Sequence, residues 1–241
     1  MNRPPIPLEE RIIFALDLAD PVAALALVDR LCERIRFFKV GLQLFFAGGW
    51  PVVDHIVNRG CQVMLDLKLH DIPATVAGAV RSARGLGVAM LTVHTGGGAE
   101  MLSRAAEEAG EAIRILGVTL LTSLGAEDLP AVSVSGTPSE VVARRAALAA
   151  AAGCGGIVCS PKEVRVVREA AGPAVAIVTP GIRPAGAELG DQKRAATPTS
   201  AIADGADYLV VGRPIHGAPD PASAADAIVE EIRRALAASE A

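Results

Sequence analysis

The chain has 241 residues, 51% of them apolar and 21% charged, with a formal net charge of −4. This composition supports a sizeable core and excludes a disordered chain, and the mild acidity gives no sign of a nucleic-acid partner. The longest uncharged run, roughly Ala146 to Pro161, is too short and too rich in glycine for a membrane helix.

The N-terminus, MNRPPIPLEER, lacks the apolar stretch of a secretory signal, so a cytoplasmic protein is expected. Residues 1–9 read as a Pro-rich leader and 10–241 as one domain, since no linker or composition break divides them. Cys32, Cys61, Cys154 and Cys159 form no CxxC pair and have no histidine at zinc-finger spacing. Buried free thiols in a reducing compartment are expected, with no metal site.

Eight runs rich in Val, Ile, Leu and Phe follow in order: RIIFALDL (11–18), RFFKVGL (36–42), CQVMLDLKL (61–69), AMLTVHT (89–95), IRILGVTLLT (113–122), GGIVCS (155–160), AVAIVTP (174–180) and DYLVVGRP (207–214). Most are continuous in apolar residues, as parallel strands buried on both faces require. Helix starts are predicted between them at Asp20-Pro21, Pro73, Thr137-Pro138, Ser160-Pro161 and Thr197-Pro198. Gly60, Gly110 and Gly172 stand where helices should end. Strand then helix, eight times, predicts an α/β fold, a single-domain (β/α)8 TIM barrel; a doubly wound open sheet has the same periodicity. Long connections after strands 5 and 7 would leave the C-terminal face, where barrel active sites sit.

Charged and polar residues gather at that rim. Asp17 lies near the end of strand 1, Lys39 in strand 2, and Asp66 and Lys68 at the end of strand 3, with Asp71 just beyond. His94 ends strand 4, Thr122 and Ser123 follow strand 5, Arg183 follows strand 7, and Arg213 ends strand 8. By strand alternation Asp66 and Lys68 share the inward face while Leu65 and Leu67 face the helices. With Lys39 and Asp71 they would form a chain of alternating sign, in which neighbouring charges stabilise one another. A purely structural ion-pair network is the bland alternative, and buried ion pairs are poor stabilisers.

A phosphate site is predicted opposite. Gly181 and Gly212, in TPGIRP (179–184) and VVGRPI (210–215), let backbone N–H groups approach an anion. Arg183 and Arg213 offer paired donors, and Gln192 in the long loop could supply another. TGGG (95–98) is a rival, weaker anion site. His94 reads as a residue that lines or supports the pocket, and His55, His70 and His216 have no metal-binding spacing.

DxKxxD at 66–71, KVG at 39–41, TPGIRP, DQKR at 191–194 and VVGRPI together resemble the orotidine 5′-phosphate decarboxylase family, in order, from about residue 10 to 235. The resemblance implies a homodimeric barrel that converts orotidine 5′-phosphate to UMP and CO2 in pyrimidine biosynthesis without metal or other cofactor, and with neither nucleic acid nor membrane as partner. It implies Lys68 as proton donor to C6, Asp66 beside the leaving carboxylate, and Lys39 pairing with the aspartates and the ribose, which Asp17 also contacts. Asp71 and Thr75 would reach the neighbouring subunit's site. Thr122 or Ser123 would meet the pyrimidine, Pro180 its edge, and Arg183, Gln192, Gly212 and Arg213 the phosphate. The same superfamily holds 3-keto sugar-phosphate decarboxylases, which share DxKxxD and use Mg2+. That activity, or a non-catalytic phosphometabolite-binding barrel, is the alternative.

Overall fold

The computed structural model describes residues 5–184 and 196–239. Eight parallel strands are closed into a barrel: β1 (Ile12–Ala15), β2 (Phe37–Gly41), β3 (Gln62–Leu69), β4 (Met90–His94), β5 (Arg114–Val118), β6 (Gly156–Val158), β7 (Ala176–Thr179) and β8 (Tyr208–Val211). Each pairs with the next, and β8 returns to β1. The open-sheet alternative is thereby excluded.

The strands are shorter than the apolar runs that announced them. β5 stops at Val118, so Thr122 and Ser123 lie in the following loop, and β8 stops at Val211. Arg213 therefore does not end a strand; it opens a short helix, Arg213–His216, behind Gly212. The excess apolar length covers the barrel rim or starts the next element.

The helix signals act as read. The Asp20 carboxylate accepts the Val22 N–H at 2.9 Å and starts Pro21–Leu31. Thr137 and Glu140 form a reciprocal cap on Pro138–Ala151. The matching Ser160–Glu163 pair caps a single 3-10 turn before the helix Val164–Ala171. Gly60, Gly110 and Gly172 follow their helices with φ of 69°, 53° and 80°, a region that only glycine enters cheaply.

Two apolar layers result. Outward strand residues such as Phe14, Phe38, Leu65 and Leu91 pack against helix residues such as Val28, Ile56 and Val80, all fully or almost fully buried. Truncating one of these phenylalanines would cost about 3–5 kcal/mol. Inward residues Ile13, Phe37, Met64, Met90, Leu116, Val178 and Tyr208 fill the lower barrel, with Phe37 and Tyr208 meeting edge to face at 5.9 Å between ring centroids. Above this apolar floor the register sets Ala15 beside Lys39, Lys39 beside Met64, and Gly41 beside Asp66. The interior turns from apolar to charged at that level. All four cysteines are buried and unpaired, and burial pushes the Cys154 thiol up to about 12.

Candidate active site

Charges on three adjacent strands meet at the C-terminal mouth. Lys39 Nζ lies 2.7 Å from Asp17 Oδ1 and 3.6 Å from Asp66 Oδ2, and Lys68 Nζ lies 2.8 Å from Asp66 Oδ1. The alternating chain therefore runs Asp17, Lys39, Asp66, Lys68. Asp71 was expected in it and is not part of it within one chain. Its exposed carboxylate instead accepts the Ile72 N–H at 2.6 Å. The chain is closed at its far end by Asp17, because the register brings the end of β1 against Lys39.

Burial is graded along this chain. The Asp66 side chain is 12% exposed and that of Lys39 9%, against 34% for Lys68 and 56% for Asp17. Burial alone would raise the Asp66 pKa. The ammonium groups of Lys39 and Lys68, with hydrogen bonds from Lys68 and Thr92, outweigh it and hold the carboxyl below its ordinary value. Gly41 makes the approach possible: a Cβ there would sit 3.0 Å from Lys39 Nζ and 3.3 Å from Asp17 Oδ1.

Lys68 reaches the mouth by a route that alternation does not describe. Leu65 pairs with Leu91 and Leu69 with Val93, so four steps along β3 match two along β4. The extra residues arch out as a bulge, and Lys68 takes φ 50°, one of two non-glycine residues with positive φ among those described. Such a backbone costs on the order of 1 kcal/mol or more. Thr92, fully buried in β4, accepts the Lys68 N–H at 2.8 Å and donates to Asp66 Oδ1 at 3.0 Å. The sequence reading missed Thr92, since a threonine inside an apolar strand looks like an ordinary strand former.

These groups line a cavity of about 630 Å3 at the C-terminal ends of the strands. Asp17, Lys39, Asp66, Lys68, Pro180, Gly181, Arg183, Gly212 and Arg213 all line it, with Gly212 close beside Asp17; Thr122 joins them and Ser123 does not. Arg183 is buried and donates to the Ile182 carbonyl at 2.8 Å; burial first, then the nearby Arg213, lowers its pKa. His216, also unassigned from sequence, lines the cavity one helical turn after Arg213. Gln192 and the rest of DQKR lie outside the described residues.

Two expected features stand apart from the cavity. TGGG forms a 3-10 turn, Thr95–Gly97, leading into the helix Gly98–Ala109, and does not line it. His94 accepts the Gly96 N–H through Nδ1 and stacks on His70 with centroids 5.1 Å apart. Asp71 and Thr75 line an adjoining hollow of about 360 Å3 with Phe45, Phe46 and Leu67, and Lys68 borders both it and the cavity. Phe46 and Ile72 are exposed nearby, at 82% and 65%.

A closed (β/α)8 barrel whose charged cavity opens at the C-terminal strand ends is the build of a barrel enzyme. Residues 10–228 match the family described as orotidine 5′-phosphate decarboxylase / HUMPS, and the chain belongs to it. An orotidine 5′-phosphate decarboxylase of Anaeromyxobacter sp. (strain K) is 53% identical over 91% of this chain and 96% of its own. One from Moorella thermoacetica is 51% identical over 93% of this chain and 92% of its own. The crystal structure of orotidine 5′-phosphate decarboxylase from Lactobacillus acidophilus superposes with a TM-score of 0.82 at 35% identity, covering 92% of this chain and 99% of that one. The chain is thus an enzyme whose curated relatives are carboxy-lyases.

Proposed function

We propose that this chain decarboxylates orotidine 5′-phosphate to UMP and CO2 in pyrimidine biosynthesis, without metal or other cofactor, and that Lys68 protonates C6. The observation that carries the reading is that the ion chain ending in Lys68 on β3 shares one cavity with Arg183 after β7 and Arg213 after β8. A nucleoside monophosphate has its anion at one end and its reacting carbon at the other, and a cavity holding both groups suits it.

The chemistry follows from the charges. As the C6–carboxylate bond breaks, CO2 leaves and the electron pair stays on C6, in the ring plane, where the π system cannot spread it. The Lys68 ammonium stabilises that pair and donates a proton to it, then regains one from solvent. Asp66, held ionised by Lys39 and Lys68, sits beside the substrate carboxylate, and that repulsion ends when neutral CO2 departs. Lys39 and Asp17 hold the ribose hydroxyls, Thr122 meets the pyrimidine and Pro180 packs along its edge. Ser123, exposed in the same loop, is the alternative to Thr122 for that contact. Arg183, Gly212, Arg213 and Gln192 bind the phosphate, and this remote binding energy orients the reacting end.

The active form in this reading is a homodimer. Asp71 and Thr75, on a face with exposed Phe46 and Ile72, complete the neighbouring subunit's site. Residues 1–9 are read as a leader ahead of the catalytic domain of 10–241, with Ile6 and Leu8 packed against the barrel core. The chain works in the cytoplasm on a small nucleotide, with no nucleic acid or membrane partner; among the described residues no helix is long and apolar enough to cross a membrane.

The test is the loss of orotidine 5′-phosphate absorbance with purified protein in a chelator. Turnover to UMP at a rate unchanged by the chelator is expected. Binding without turnover, or turnover abolished by chelation and restored by Mg2+, would contradict the reading.

A further inference from the structure

We infer that Thr92 is a positioning residue for decarboxylation, its one hydroxyl fixing both the backbone of Lys68 and the carboxylate of Asp66. The inference rests on the function proposed above and adds a residue that the charge pattern does not contain.

The hydroxyl has one proton and two lone pairs. Ionised Asp66 can only accept, so the proton goes to Asp66 Oδ1, 3.0 Å away. The backbone N–H of Lys68 can only donate, so it takes a lone pair of Thr92 Oγ1 at 2.8 Å. Neither bond can reverse, and the arrangement has a single orientation.

Its location gives it leverage. The β3–β4 ladder slips between Leu65 and Leu69, and Lys68 sits in that slip with a left-handed backbone. There the Lys68 amide meets a side-chain oxygen of the neighbouring strand. The same Asp66 Oδ1 receives Lys68 Nζ at 2.8 Å. Thr92 thus closes a small ring through the main chain and the side chain of Lys68, fixing where the ammonium points. Thr92 is fully buried and does not line the substrate cavity, so it acts through Lys68 and Asp66.

Without the hydroxyl, a part-buried amide and one carboxylate oxygen each lose a partner, and the strained bulge loses its anchor. Misplacing a reacting group by about 1 Å can cost around a hundredfold in rate.

The test compares Thr92→Val, which keeps the shape, with Thr92→Ser, which keeps the hydroxyl. Rates are taken per site titrated with UMP, so unfolded material does not count. The valine variant should lose about 10- to 100-fold in kcat, with KM and UMP affinity within about twofold of wild type. The serine variant should stay within about threefold of wild type. Wild-type kcat in the valine variant, or equal losses in both variants, would overturn the role of Thr92 alone. Should the valine variant not fold, Thr92→Ala replaces it under the same two criteria. A wild-type protein inactive on orotidine 5′-phosphate would overturn both the proposed function and this inference.

Discussion

Lys68 and Asp66, two residues apart on β3, form a 2.8 Å ion pair at a place where the strand is not regular. Lys68 sits in the register slip after Leu65 with a left-handed backbone. Asp66 is held between two lysines; it is the counter-charge of Lys68 and shares that of Lys39 with Asp17.

Asp66→Asn should therefore destabilise as well as inactivate. Removing the central anion leaves Lys39, nearly buried, with only the half-exposed Asp17. A loss of about 3 kcal/mol in unfolding free energy is expected by denaturant titration, the usual scale for breaking a buried pair from one side. A variant as stable as wild type would mean that the chain is solvated and not held by burial.

Arg213→Ala should raise KM for orotidine 5′-phosphate by about tenfold or more, through loss of a charge-assisted contact to phosphate. The same substitution should leave kcat/KM for the unphosphorylated nucleoside orotidine unchanged, because that substrate has no phosphate to hold. Equal losses on both substrates would place Arg213 outside the phosphate site.

Asp71 does not line its own chain's cavity but the adjoining hollow, on the face with exposed Phe46. Chains carrying Asp71→Ala should be nearly inactive alone, as should chains carrying Lys68→Ala. Mixed, they should recover roughly a quarter of wild-type activity, since half the dimers are mixed and each has one intact site. No recovery in a confirmed mixed dimer would remove Asp71 from the shared site.

His94 should make stability depend on pH. Burial first, then the nearby Arg145, His70 and Lys68, pushes its pKa down to about 4, below the usual value near 6.5. The unfolded chain then binds a proton more readily than the folded one between these two values. Stability should fall as pH drops through this window and level off below pH 4. His94→Asn, which keeps an acceptor for the Gly96 N–H, should lose less stability than wild type between pH 7 and 4.5. Parallel losses in both proteins would assign the acid sensitivity to other groups.

The barrel was legible because its signals are local. Apolar runs, Asp20-Pro21 and the Thr137–Glu140 pair act within one turn or one strand, and the structure follows them. The charge cluster was legible too, since Lys39, Asp66 and Lys68 interrupt runs that are otherwise apolar. What stayed hidden depends on pairing between distant strands. Only the β1–β2 register brings Asp17 to Lys39, at the opposite end of the chain from where Asp71 was expected, and only the β3–β4 slip gives Thr92 its two partners. Thr122 and Ser123 could not be separated because β5 ends four residues before Thr122, and the loop alone decides which of them turns inward.

The most direct measurement is turnover and UMP binding by Lys68→Ala, assayed on the same preparation. A cation that donates the C6 proton predicts a fall in kcat of at least about a thousandfold with UMP affinity largely kept. A variant that still releases CO2 from orotidine 5′-phosphate at a rate near wild type would contradict it.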